Sequence, residues 1–213
     1  SLEVEDQIAA GSTAPLYMLV GEDDAEKLDW VNSFTKMIDE ELHAFNIDRF
    51  FGSEIKIDQL VDAASTLPMM APRRIVIVLH AQHLLAPVTA KGTAKRDTKS
   101  FEREQEKLEQ FLLNPPEHAT VIFVCGPFQA KDARRTLVKL ALKQAVVISC
   151  GTVKSTYDAE RWLKRKAESR EIKIEKAAVS ALANRIGPEI PQLRAGLERM
   201  ALYVSNGAAI TSD

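Results

Sequence analysis

The sequence contains no Gly-x-x-x-x-Gly-Lys-Ser/Thr segment. It therefore lacks the loop whose backbone N–H groups, lysine and hydroxyl hold nucleotide phosphates in α/β proteins. Gly-x-Ser-x-Gly, His-Glu-x-x-His and Cys-x-x-Cys are absent too, so nucleophile-elbow and zinc-hydrolase readings have no support. There are only two cysteines, Cys125 and Cys150. Each closes an apolar β-like run, and both are expected as buried thiols in a reducing compartment, with a disulfide as the alternative. No apolar stretch approaches the roughly 20 residues of a membrane span. The first residues are acidic rather than basic-then-apolar, and these features together predict a cytoplasmic protein. Charge of one sign is also missing: 28 Lys and Arg stand against 30 Asp and Glu, a net charge of −2. No overall field favours coating nucleic acid, although local basic patches remain available.

What is present is enough hydrophobic material, 46% of 213 residues, to bury a substantial core in one large or two small domains. The apolar run 16–20 ends at Gly21 and continues into Glu22, Asp23 and Asp24 before a helix. Carboxylates at this junction would repel a triphosphate; they suit a helix N-terminus, with cation binding as the alternative. Asp24 is the expected cap of a helix whose apolar face is Leu28, Val31, Phe34, Ile38 and Leu42. A strand is expected at 45–51. A helix from 57 follows, with Leu60, Val61, Ala64 and Leu67 on one side, stopped by Pro68. Residues 75–79 form the most apolar strand, 86–99 a surface loop, 101–113 a helix and 120–124 a strand. A basic amphipathic helix at 132–143 and a strand at 145–149 complete the series. Strands alternating with helices predict an α/β fold with a mostly parallel sheet flanked by helices over 15–150, behind a frayed lead-in at 1–14. From Gly151 the pattern becomes helical. Ser155 with Asp158 starts one helix, with Ala159, Trp162, Leu163 and Ala167 inward. Ile174 precedes a second, with Ala178, Leu182 and Ile186 inward, closed by Gly187. A third carries Leu193, Leu197, Met200, Ala201 and Val204 inward. Residues 151–206 thus form a small three-helix domain.

Few residues carry candidate chemistry. His80 and His83 are spaced to share a metal on a helix, but no Cys or carboxylate cluster lies near in sequence to complete the site, and exposed or hydrogen-bonded histidines at a strand end are the preferred reading. The segment Thr66-Leu67-Pro68-Met69-Met70-Ala71-Pro72 sets two methionines between prolines. Such a pair either packs into a core or presents an adaptable docking knuckle, since thioether side chains mould to varied surfaces. Arg134, Arg135, Lys139 and Lys143 are expected along one helix, either as a solvated face or as non-specific phosphate contacts to DNA. The loop between Lys91 and Lys99 is basic without aromatic residues and reads as plain solvated loop.

The runs LYMLVGEDD, FNIDRFFGSE and LVDAASTLPMMAPRRIVIVLHAQHL, in this order, resemble the delta subunit family of bacterial DNA polymerase III. The likeness continues through FLLNPPEHATVIFVCG, KDARRTLVKLALK and RWLKRKAESREIKIEKAAVSALANRIGPEIPQLRAGLERMALYV, covering roughly residues 15–206. It implies an AAA+-like α/β domain followed by a three-helix lid domain, neither binding ATP, hence no cofactor and no catalysis by this chain itself. It implies a role in DNA replication as part of a DNA-directed DNA polymerase holoenzyme, a nucleotidyltransferase complex. In that role a clamp-loader subunit binds the sliding clamp (beta subunit) and helps open it for loading onto primed DNA. The implied clamp contact is Met69 and Met70, flanked by Leu67 and Pro72. Family pairs often carry an aromatic second residue, and Met-Met departs from that. The other implied partners are the delta prime and gamma/tau subunits and primed DNA, with no membrane. Arg194 matches the place of a phosphate-sensing arginine in related modules, and a helix-surface or interdomain ion pair is its alternative reading. The family's third, collar domain is not represented: 207–213 reads as a linker towards it, and the chain as a truncated form. Other readings of the residues are a stand-alone DNA-binding module and an atypical nucleotide-binding protein.

Overall fold

A computed structural model describes residues 2–86, 98–151, 153–203 and 209–211. The chain divides into two compact units, Ser1–Cys150 and Gly151–Asp213. The first contains α1 (Leu2–Ala9), β1 (Leu16–Gly21), α2 (Asp24–Thr35), α3 (His43–Asn46), β2 (Ile47–Phe51), α4 (Ile57–Ser65) and β3 (Arg74–Leu79). It continues with α5 (Gln82–Leu85), α6 (Thr98–Leu113), β4 (Ala119–Cys125), α7 (Thr136–Gln144) and β5 (Val146–Cys150). The second contains α8 (Thr156–Ser169), α9 (Lys176–Ile186) and α10 (Ile190–Tyr203).

The five strands form one sheet in the order β2-β3-β4-β1-β5, every neighbouring pair parallel. The three inner strands β3, β4 and β1 are the unbroken apolar runs, because helices cover both faces of a parallel sheet and no position can stay polar cheaply. Alternate residues supply two cores. Met18, Val76, Val78, Val121 and Phe123 meet Leu60 and Ala64 of α4, Leu108 and Leu112 of α6, and Val138 and Ala141 of α7. Tyr17, Leu19, Ile75, Ile77 and Ile122 meet Trp30, Val31 and Phe34 of α2. Gly52 follows β2 where the backbone passes the end of β3: its N–H donates to the Leu79 carbonyl at 2.7 Å, and a Cβ there would lie 2.6 Å from the His80 carbonyl oxygen.

Several boundaries differ from the sequence-based expectations. The lead-in is not frayed from residue 2 onward. Val4 is buried and Ile8 partly so in the Tyr17 core, the Tyr17 hydroxyl donates to Gln7 Oε1 at 3.0 Å, and buried Thr13 bonds Thr120 at 2.8 Å. In α2 the cap is Asp23, whose carboxylate accepts from Glu26 N–H at 3.0 Å, and Asp24 is the first helical residue. Its inward face is Lys27, Trp30, Val31 and Phe34, while Leu28 is 58% exposed. The helix stops at Thr35, so Ile38 and Leu42 reach the core from the following turns. Residues 43–46 are a helical turn, not strand. Leu67 lies past the end of α4 and points outward. Residues 132–135 are turns, because the buried stripe that would stabilise a helix starts only at Leu137. Of the expected loop 86–99, residues 87–97 lie outside the described residues, and the chain is helical from Thr98.

The second unit packs Ala159, Trp162, Leu163, Ala178, Val179, Leu182, Leu193 and Leu197 into its own core. Ser155 caps α8, accepting from Asp158 N–H at 3.2 Å. The Asp158 carboxylate accepts in turn from the Ser155 hydroxyl at 2.9 Å and from Lys154 N–H at 3.2 Å, and these bonds hold it below the usual carboxylate range. Gly187 ends α9 at φ 78°, a conformation favouring glycine. Ile210, expected in a departing linker, is buried in this core: its N–H donates to the Lys173 carbonyl at 2.8 Å, and its carbonyl accepts from Glu175 N–H at 2.9 Å. Val204 lies outside the described residues.

Candidate functional site

In a parallel sheet of this order, the carboxyl ends of the central strands are where phosphate ligands ordinarily sit. Here that place is taken by a side chain of the protein. Lys27, six residues after Gly21 and 5% exposed, donates from Nζ to the Gly21 carbonyl at 3.0 Å and to the Cys125 carbonyl at 3.3 Å. Asp24 lies 2.7 Å from the same ammonium. One carboxylate of the acidic junction therefore pairs with an internal cation and another caps a helix. Lys27 is a structural counter-ion that the acidic run by itself does not disclose. The thiols of Cys125 and Cys150 end the two strands flanking β1, one in each core, and both are free. Burial pushes each up to about 12.

The Met pair lies at the opposite, amino-terminal edge of the parallel strands, in the connection from α4 to β3. Met70 is 87% exposed, Met69 53% and Leu67 71%, and Pro72 is also exposed. The knuckle has fixed ends. On one side, the Asn46 side chain at the end of α3 accepts from Met69 N–H at 2.6 Å and donates to the Met69 carbonyl at 2.9 Å and to the Leu42 carbonyl at 3.0 Å. On the other, Ala71 packs against the core, and Arg73 donates to Thr120 Oγ1 at 2.9 Å and to the Ala119 carbonyl at 2.7 Å. Arg74 binds Asp48 at 2.6 Å and the Phe45 carbonyl at 2.8 Å. Between these anchors Met70 adopts φ 54°, the left-handed region, which turns its side chain away from the body. Phe45, 53% exposed, is the residue before the Asn46 clamp.

The other sequence-derived candidates are dispersed. Arg134 is an exposed turn residue and Arg135 is the cap of α7, 3.5 Å from Asp132, so only Lys139 and Lys143 share the helix. The expected four-residue basic stripe is thus broken. Arg194 lies with its guanidinium 5.5 Å from the Trp162 ring centroid, a cation–π contact within α8 and α10. His80 stacks on Phe51 at 6.3 Å, and His83 is exposed on α5. Among the described residues no three His, Cys, Asp or Glu side chains come close enough to hold a metal, and no helix is long and apolar enough to cross a membrane. A groove of about 640 Å³ between α4 and α6, spanned by the 2.6 Å Lys107–Asp58 pair, has a lining of mixed charge.

The parallel sheet with its helical covering and separate three-helix unit defines an AAA+-like α/β protein. A RuvB variant of Thermotoga maritima has a related fold, at a TM-score of 0.50 and 16% identity over 100% of this chain and 63% of that one. The clamp loader delta protein of Bacillus subtilis superposes at a TM-score of 0.73 with 19% identity, over 99% of this chain and 59% of that one. Among curated sequences, DNA polymerase III subunit delta of Bacillus subtilis (strain 168) is 24% identical over 214 residues, covering 99% of this chain and 58% of the relative. The family model "DNA polymerase III, delta subunit" matches residues 17–151. The chain belongs to the DNA polymerase III delta subunit family. It spans a little under three fifths of the length of these Bacillus relatives.

Proposed function

We propose that this chain is the clamp-gripping portion of a clamp-loader delta subunit, acting in the cytoplasm within a DNA polymerase III holoenzyme. It docks on the ring-shaped sliding clamp through Met69 and Met70, with Leu67 and Pro72 at the rim, and strains the ring open for loading onto primed DNA. The observation that carries this reading is the Met70 side chain, 87% exposed at the apex of a turn whose flanks are tied to the body of the protein. Exposed, flexible thioethers on a fixed main chain are suited to filling an apolar pocket on a partner. Delta prime and gamma/tau subunits complete the assembly, and ATP turnover belongs to subunits other than this one. The Lys27 ammonium at the β1 and β4 ends supports that division of labour. Arg134, Lys139 and Lys143, all exposed, are available for non-specific contact with the DNA backbone.

Binding of the 213-residue chain to an immobilised sliding clamp tests the reading. Burying two Met anchors is worth on the order of 2–4 kcal/mol, so the Met69→Ala, Met70→Ala double variant should bind about 30- to 1000-fold more weakly. Unchanged affinity would reject the site.

A further inference from the structure

The knuckle owes its shape to a residue 23 positions away. We infer that Asn46 is a positioning residue: its amide holds the Met69 main chain so that Met69 and Met70 are presented in a single, ready-made arrangement. The inference rests on the proposed docking role of the Met pair, and it names the group that organises that site.

The geometry is that of a strand pairing made by one side chain. Asn46 Oδ1 accepts from Met69 N–H at 2.6 Å, while Nδ2 donates to the Met69 carbonyl at 2.9 Å. The second Nδ2 hydrogen is used on the Leu42 carbonyl at 3.0 Å, one turn back, which fixes the amide from its own side. Asn46 is itself fully buried, so water does not compete for its side-chain amide. Only a short side-chain amide offers an acceptor and two donors at this reach. An aspartate has no donor when ionised, and an apolar residue of the same size would leave the Met69 N–H and carbonyl without the bonds they now make. With Met69 held here and Arg73 held through Thr120 and Ala119, the intervening turn retains little freedom, and Met70 is kept at φ 54°. Fixing the backbone before contact removes the ordering cost that a loose loop would meet on binding. The exposed side chains keep the mobility that lets them fit a pocket.

A double-mutant cycle separates positioning from general stability. Asn46→Ala is placed in the native chain and in the Met69→Ala, Met70→Ala background, and affinity for the sliding clamp is measured for all four proteins. Hydrogen exchange of the free proteins is followed at Met69 and across Ile75–Val78. The expected result is at least about tenfold faster exchange at Met69 with the β3 amides unchanged. Clamp affinity should fall about tenfold in the native background and hardly at all once the methionines are gone. Should Asn46→Ala not fold, Asn46→Asp keeps the shape and the acceptor and goes through the same cycle. There Met69 exchange and clamp binding are compared at a pH where the carboxyl is protonated and one where it is ionised. Recovery of affinity on protonation, which restores one donor, supports the assignment. Unaltered Met69 exchange, or an equal affinity loss in both backgrounds, overturns it. If instead the Met pair itself proves dispensable for clamp binding, the docking reading falls, while the exchange data still report whether Asn46 shapes the knuckle.

Discussion

Lys27 ties together the carboxyl ends of two neighbouring strands. Its ammonium joins the carbonyls of Gly21 and Cys125 and pairs with Asp24, while its stem is buried against the sheet. Lys27→Met keeps the stem and removes the donors, leaving carbonyls at two strand ends short of a partner. It should destabilise the α/β unit by about 1–3 kcal/mol in urea unfolding, and Lys27→Ala by more, since it also leaves a cavity. The two thiols next to this ammonium give a pH signature. Burial raises both from the ordinary 9.0 to about 12, so between those values the folded chain keeps protons that the unfolded chain releases. Their contribution to stability is therefore complete below pH 9 and is lost as pH rises through 12. Burial raises the Tyr17 phenol in the same direction. Urea midpoints should fall steadily above pH 9, less steeply in the Cys125→Ala, Cys150→Ala double variant. At pH 8 a thiol reagent should label neither cysteine until denaturant is added; rapid native labelling would contradict the burial.

Among the elements, the turn after β2 and the connection from α4 to β3 set the outer flank of the sheet. Gly52 lies where a Cβ would meet the His80 carbonyl oxygen at 2.6 Å and the Ala81 Cα at 2.9 Å, both backbone atoms that cannot rotate away. Gly52→Ala should cost about 2–3 kcal/mol through displacement of the strand ends, measurable by thermal unfolding, and a change below about 0.5 kcal/mol would show that the turn yields freely. The start of α7 follows a different rule. A helix persists where its apolar stripe has a core to face, and α7 begins only at Thr136, one residue before its buried stripe starts at Leu137. Charge alone does not extend it: Arg134 and Arg135 precede the stripe and fall into a turn.

For the molecule as a whole, the division at residue 150 separates the two cores of the sheet unit from the core of the helical unit, and the three share no buried residue. The smaller unit depends on few contacts, so conformational cost matters more there. Gly187 holds φ 78° and ψ −160°, and a Cβ at that position meets nothing within 4 Å, so the penalty for Gly187→Ala is backbone strain alone. It should lower the stability of the helical unit by about 1–2 kcal/mol while amide exchange in β1, β3 and β4 stays unchanged. Equal loss of protection in the sheet would show that the two units unfold as one.

The inner strands were legible in the chain because an unbroken apolar run between turn residues has few other uses, and so the sheet and its parallel character followed from local pattern. The inward positions of α8 and the glycine stop of α9 were legible for the same reason: helical period and cap chemistry act within a few residues. The missing phosphate loop could also be read directly, since it is defined by adjacent residues. What only the tertiary structure decided are the contacts between distant positions. Lys27 finds the Cys125 carbonyl 98 residues away, Asn46 clamps Met69 across 23, and Thr13 meets Thr120 across 107. Val4 and Ile8 form a stripe too short to stand out until the Tyr17 core supplies its other half. Hydrogen bonds and burial depend on proximity in space, and no local period encodes which remote strand end or loop will be near. The exposure of Met70 belongs to that second class: two methionines between prolines could have packed inward, and it is the Asn46 amide and the left-handed turn that point the second one outward.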